Sequence, residues 1–306
     1  MKPIEKKIIS KEFSFSVDKN SFQPKNVKAK KFLAVFDGLK FSKSTLEYAI
    51  QLTRDANAFL IGFFLDQVIY PYNVSPILGS YKDEEQLFSQ QAAKDKEVKD
   101  ESIKQFERAC SQAGIHYSFH RNSGIASQEL KQESVFADLI IINANETFSM
   151  FPENPPAHFI KELLTDVQCP VLVAPGKFKP IDKITFLYDG RPSSVFAIKM
   201  FSYLFGDLSG MPAEVFTVKD PMEGSHLPNN KLMREFIKWH FPKAKYVVEK
   251  GNAEDQILGH LRYHKGNELV VLGAYRRSEI SRWFKTSMAD ILMKQLDTPL
   301  FIAHNK

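Results

Sequence analysis

Three stretches of the chain recur once each, in the same order. KKFLAVFDGLKFSKSTLEYAIQLT, from Lys30, is echoed by DKITFLYDGRPSSVFAIKMFSYLF, from Asp182; ADLIIINA (137–144) by NELVVLGA (267–274); and CPVLVAP, from Cys169, by TPLFIAH, from Thr298. A unit that repeats in this way folds as one module, so the chain is two copies of one design. In each first stretch an apolar run ends in Asp-Gly, at Asp37-Gly38 and Asp189-Gly190. Asn143 and Gly273 then hold the same place in the fourth predicted strands, 106 and 84 residues further on, which makes the first copy 22 residues longer in its middle. The boundaries read as a basic extension over 1–29, a first domain over 30–176, a linker over 177–181 around PGKFKP, and a second domain over 182–306.

Within each copy, strands that are apolar throughout, such as FLIGFFL and AEVFTVK, alternate with helical periods. Ser44-x-x-Glu47 reads as a capping box opening the first helix, followed by Leu46, Ala49, Ile50 and Thr53 on one face; Ala197, Met200, Phe201 and Leu204 are the counterpart. Strands without alternation belong in a parallel sheet covered on both faces, so the fold class is α/β, doubly wound, twice. The extra length of copy one is a loop, YPYNVSPILGS, and a long charged helix whose apolar residues are sparse before Ile103, Phe106 and Cys110. Its first turns are expected to project into solvent, where they offer a surface for a protein partner.

Charge narrows the partners. Of the net +5, residues 1–29 contribute seven lysines against Glu5, Glu12 and Asp18, leaving +1 for the body from residue 30 on. A near-neutral body with a basic arm disfavours nucleic acid, which needs basic residues clustered on a folded face. No apolar run approaches the ~18 residues of a membrane span. The first twenty residues scatter charge where a signal peptide needs an apolar core, and two cysteines, Cys110 and Cys169, read as buried thiols of a reduced cytoplasm.

The Asp-Gly strand ends, the ADLIIINA and NELVVLGA strands and the closing CPVLVAP and TPLFIAH strands resemble the universal stress protein family in tandem form, over 30–306. The resemblance implies two tandem doubly wound domains, adenine nucleotide alpha hydrolase-like and Rossmann-like, forming an intramolecular pseudo-dimer. Domains of this family pair through their last strands, which singles out VLVAP and LFIAH as the interface and would cover two sheet edges. Members that bind ATP carry G-x2-G-x9-G-[S/T] after the fourth strand. Here Gly273 fills the first position, Arg276 stands at the second, and Thr286-Ser287 stands where Gly-Ser or Gly-Thr would be. By resemblance, Asp189 and Val218 face the adenosine end of a site, and Gly273, Arg276, Thr286, Ser287 and Met288 face the phosphates. Glycine suits such points because backbone N–H groups must approach phosphate closely, a freedom that Arg276 and Thr286 remove. In compensation Thr286 or Ser287 can cap the last helix, whose N-terminus favours anions, and Arg276, Arg277, Arg282 and Lys285 cluster against Glu279. Copy one offers no glycine, Lys or Arg from Leu139 to Ile160, and its Glu146 and Glu153 would repel phosphate; its prolines, Pro152, Pro155 and Pro156, suggest a rigid cover over an empty site.

Enzyme signatures are missing: there is no G-x-S-x-G elbow, P-loop or G-x-G-x-x-G, and none of the adenylating motifs of similar folds. His260 and His264 have chelating spacing but no third ligand in sequence reach, so both read as half-exposed histidines of an amphipathic helix; His240 reads as a core or interface histidine. The sequence thus predicts a cytoplasmic, non-enzymatic stress-response module with residual ATP binding in the second copy. A weak ATPase or phosphotransfer enzyme using that copy, and a nucleotide-independent interaction scaffold, are the rival readings.

Overall fold

The computed structural model describes residues 30–65, 81–122, 125–149, 153–263, 267–273 and 287–304, with side chains of the long helix from 92 onward. The extension over 1–29, the loop YPYNVSPILGS, His264, and Arg276, Arg277, Glu279, Arg282, Lys285 and Thr286 lie outside these residues, as does Pro152.

Copy one runs β1 (Lys31–Asp37), α1 (Lys43–Asp55), β2 (Phe59–Leu65), α2 (Tyr81–Ala113), β3 (Tyr117–Asn122), α3 (Ala126–Ser134), β4 (Leu139–Asn143), α4 (His158–Asp166) and β5 (Val171–Ala174). Copy two repeats it with β6 (Lys183–Leu187), α5 (Pro192–Leu204), a 3₁₀ turn, β7 (Ala213–Lys219), α6 (Asn230–His240), β8 (Lys245–Lys250), α7 (Ala253–Tyr263), β9 (Glu268–Gly273), α8 (Met288–Gln295) and β10 (Leu300–Ala303). Together they form one ten-stranded sheet in the order β3-β2-β1-β4-β5-β10-β9-β6-β7-β8. Every pairing is parallel except at the centre, where β10 runs antiparallel to β5 and sets Phe301 opposite Leu172. The two closing strands do pair, and two otherwise open sheet edges become the buried middle of a continuous sheet.

The strands are apolar on both faces because both are covered. One layer, against α1, α2, α5 and α6, runs unbroken from Phe32 and Phe106 to Phe201 and Phe301; the other packs α3, α4, α7 and α8 on residues such as Ile140, Val173, Val270 and Ile302. The layers join the copies as firmly as the strands do. Phe32 of β1 meets Phe205, beyond α5, at 5.8 Å between ring centroids, and the Lys30 ammonium donates to the Leu204 carbonyl at 2.5 Å. The linker lies on α1: Ser44 donates to the Pro175 carbonyl at 2.6 Å, and the Tyr48 hydroxyl accepts from Lys179 N at 3.3 Å. Each fully buried Phe contributes roughly 1.5–3 kcal/mol of burial, so this seam is part of the core.

Ser44, read from sequence as a helix cap, is therefore a linker contact. The cap is Ser42, whose hydroxyl accepts from Thr45 N, and α1 begins at Lys43. In α2, Ile103, Phe106 and Cys110 are buried and the residues from Ala92 to Val98 are mostly exposed, as their sparse apolar content implied. Phe106 rests on Gly62, where an added β-carbon would stand 2.8 Å from Cζ of the ring. Both cysteines are buried, and burial raises the Cys110 thiol to about 12.

His260 also departs from its sequence reading. It is turned inward onto Glu214, with Nε2 2.5 Å from Oε1, and its ring lies tilted against Phe216 at 4.2 Å between centroids. Lys183 reaches the same carboxylate at 2.8 Å and Glu268 at 3.2 Å, while the Thr185 hydroxyl lies within hydrogen-bond reach of both acids. This buried network fills the amino-terminal ends of β6, β7 and β9, away from the strand ends that carry the candidate site. Among the described residues no group of three or more His, Cys, Asp or Glu is set to hold a metal, and no helix is long and apolar enough to cross a membrane.

Candidate functional site

In copy two the strand order reverses direction at β6, which is flanked by β9 on one side and β7 on the other. The crevice outside the carboxyl ends of such strands is where doubly wound sheets take ligands. Asp189, Val218 and Gly273 stand at the ends of β6, β7 and β9, and Ser287 and Met288 open α8. The sequence-predicted residues within the described range thus share one edge of the sheet.

Asp189 is half-exposed and organises the start of α5: its Oδ1 accepts from Arg191 N at 2.9 Å and from the Ser194 hydroxyl at 2.7 Å. An Asp that accepts from the backbone N–H two residues on forms an Asx turn, which sets the chain leading into the helix. Asp37 does the same in copy one, accepting from Leu39 N at 2.9 Å. Gly190 has φ +81°, and a β-carbon there would stand 2.5 Å from Pro228, whose carbonyl accepts from the Tyr188 hydroxyl. Pro228 therefore packs directly on the turn between β6 and α5. Val218 is partly buried and packs with the layer under α7 and α8.

Gly273 has a structural reason to be glycine that phosphate approach does not supply. A β-carbon built on it would fall inside the Ser193 backbone and lie 2.7 Å from Ser194 N, so the first turn of α5 packs directly on the end of β9. Ser287 occupies the N-cap position of α8, at φ −64° and ψ 145°, and its side chain makes no capping hydrogen bond. Met288 turns into the core beside Ile291.

Copy one fills the corresponding places with its own side chains. Asn143 donates to the Ser42 hydroxyl at 3.2 Å and to the Pro175 carbonyl at 3.3 Å, tying β4 to the start of α1 where Gly273 leaves α5 free to close in. Glu153 accepts from His158 N at 2.7 Å, setting a carboxylate at the first turn of α4 where a helix would welcome an external anion. Glu146 is buried and accepts from Thr147 N and Phe148 N. Burial, with the Asp37 charge second, raises its carboxyl to about 7. Sequence reasoning read Glu146 and Glu153 as repulsive to phosphate; in the structure Glu153 stands at the first turn of α4, while Glu146 turns into its own loop. The same reasoning missed Ser42 and Ser194, whose only sequence signal is a polar residue a few positions beyond each Asp-Gly, and it matched Asn143 to Gly273 without giving it a contact.

Glu146 carries a pH prediction. A carboxyl whose folded value lies above its ordinary 4.5 binds its proton more tightly when folded, so stability falls as pH rises from 4.5 through about 7. Glu146→Gln keeps the acceptor and removes the ionisation. It is expected to raise stability by about 2 kcal/mol above neutral pH and to leave it unchanged at pH 4.5. Urea midpoints at the two pH values check this; equal effects at both would show that Glu146 ionises freely.

The geometry defines a class of protein: tandem doubly wound α/β modules joined through their closing strands, with a strand-end crevice in each. No protein-family model and no curated protein matches the chain. Among solved structures, a universal stress protein from Archaeoglobus fulgidus DSM 4304 covers 90% of this chain and 96% of its own at 14% identity, with a TM-score of 0.62. A protein of unknown function from Pseudomonas aeruginosa PAO1 covers 90% of this chain and 92% of its own at 12% identity, with a TM-score of 0.55. The chain has the universal stress protein fold, in tandem, which is the fold its sequence resemblance implied.

Proposed function

We propose that the chain is a non-enzymatic regulatory module whose second half binds an adenine nucleotide phosphate-first and whose first half binds none. The observation that supports this is the contrast between the two crevices. In copy one Glu153 and Asn143 occupy the anion position and the strand junction, whereas in copy two the Ser287 side chain leaves the α8 cap unengaged and Asp189 stands half-exposed. A helix N-terminus without a capping side chain presents N–H donors to an anion. The four basic residues of the preceding loop, Arg276 among them, add charge of the right sign. ATP is the ligand to try first. A stress-linked role in the cytoplasm, with α2 as a surface for a protein partner, completes the reading.

Isothermal titration of the full chain with ATP and Mg²⁺, beside Arg276→Glu, tests it. Saturable micromolar binding, lost in the variant and without phosphate release over hours, is the expected result. No heat and no thermal shift at millimolar ATP would overturn nucleotide binding, and steady phosphate release abolished by Arg276→Glu would overturn the non-enzymatic part.

A further inference from the structure

The outer surface of α6 carries apolar side chains that the core does not use. Met233 and Ile237 are its buried face, while Leu232 and Trp239, seven residues apart and therefore on one stripe, are 68% and 82% exposed. Tyr203 of α5, 56% exposed, extends the stripe: its ring lies 5.7 Å from His240, and the Lys199 ammonium sits 5.6 Å over it. Charge gathers at the same place. Residues 230–246 hold Lys231, Arg234, Lys238, Lys243 and Lys245 against Glu235 alone, in a body whose net charge from residue 30 on is only +1. Lys231 and Lys238, each next in sequence to Leu232 or Trp239, are exposed as well, so basic charge flanks the apolar stripe.

We propose that this α5–α6 face docks on an anionic lipid surface. Lysine and arginine draw such a surface in, and an indole, an isobutyl group and a phenol then enter the headgroup boundary while the ammonium groups stay in water. Side chains this exposed are free to enter a planar deformable interface without a preformed pocket. A nucleic acid would satisfy the lysines but would give Leu232 nothing to bury against.

The test uses the full chain and two vesicle preparations, phosphatidylcholine alone and phosphatidylcholine mixed with an equal part of phosphatidylglycerol. Co-sedimentation with the mixed vesicles only, weakened by salt, is expected. Trp239→Ser is expected to lower the bound fraction about tenfold, and Lys231→Glu with Lys238→Glu to abolish it. In a Trp283→Phe background Trp239 is the sole indole, and its emission should shift to the blue on vesicle addition. Absence of sedimentation at low salt overturns the proposal. So does binding unchanged by Trp239→Ser, which would assign it to the lysines of residues 1–29. A dimer in light scattering that Trp239→Ser dissociates, or retention of a DNA duplex without retention of vesicles, would assign the face to a second copy or to nucleic acid and would equally overturn it.

Discussion

Glu214→Ala is expected to destabilise the protein by about 3–5 kcal/mol, because it removes one anion from a buried network and strands its partners. Glu214 accepts from Lys183 and pairs with His260, and all three side chains are largely withdrawn from water. Burial alone would raise this carboxyl; the hydrogen bonds from His260 and Lys183 outweigh it and hold it at about 2. A folded value below the ordinary 4.5 means that the contribution is present above 4.5 and is lost as pH falls toward 2. The network is not fully satisfied, since Oε1 of the neighbouring Glu268 is buried without a hydrogen-bond partner among the described residues. Replacing the whole set by apolar residues of similar volume should therefore cost much less than the single change, as buried ion pairs commonly allow. Urea denaturation of the single and multiple variants checks both statements. A loss below about 1 kcal/mol for Glu214→Ala would mean that water reaches the cluster and screens it.

Gly273→Ala is the second large effect, expected at about 3 kcal/mol. The added methyl would meet the backbone of Ser193 and Ser194, which cannot swing away as the end of a long side chain can. Either β9 or the first turn of α5 must move, and Asp189, which holds that turn through Ser194, would move with it. The same substitution is thus expected to weaken the proposed nucleotide binding along with stability. A variant of unchanged midpoint would show that α5 is loosely seated. Asn143 is the contrasting position: there a side chain is accommodated and hydrogen-bonded, so Asn143→Gly should lose those bonds and gain no packing.

The positions where sequence and structure part do so for a physical reason. Ser44 begins a good capping-box pattern, yet the linker carbonyl of Pro175 claims its hydroxyl, and Ser42, one turn boundary earlier, takes the capping role. His260 has the periodicity of a half-exposed helix residue, but Glu214 on β7 draws it in. Glu153 offers no local pattern at all; only the fold brings it to the first turn of α4. The Ser44 and His260 partners are distant in the chain, where pattern reading does not see, and the Glu153 partner lies across an irregular loop that carries no periodicity.

What the sequence by itself determined is the repeat and the α/β class with its parallel strands. Those follow from local periodicity and from the need to cover apolar faces, which every residue in a strand or helix reports. The pairing of the closing strands and the strand-end position of Asp189, Val218, Gly273, Ser287 and Met288 are expectations drawn from the family resemblance. Arg276 and Thr286 remain a sequence reading. Only the tertiary structure decided why Gly273 is glycine and why Leu232 and Trp239 stand exposed, because both are settled by packing between segments far apart in the chain.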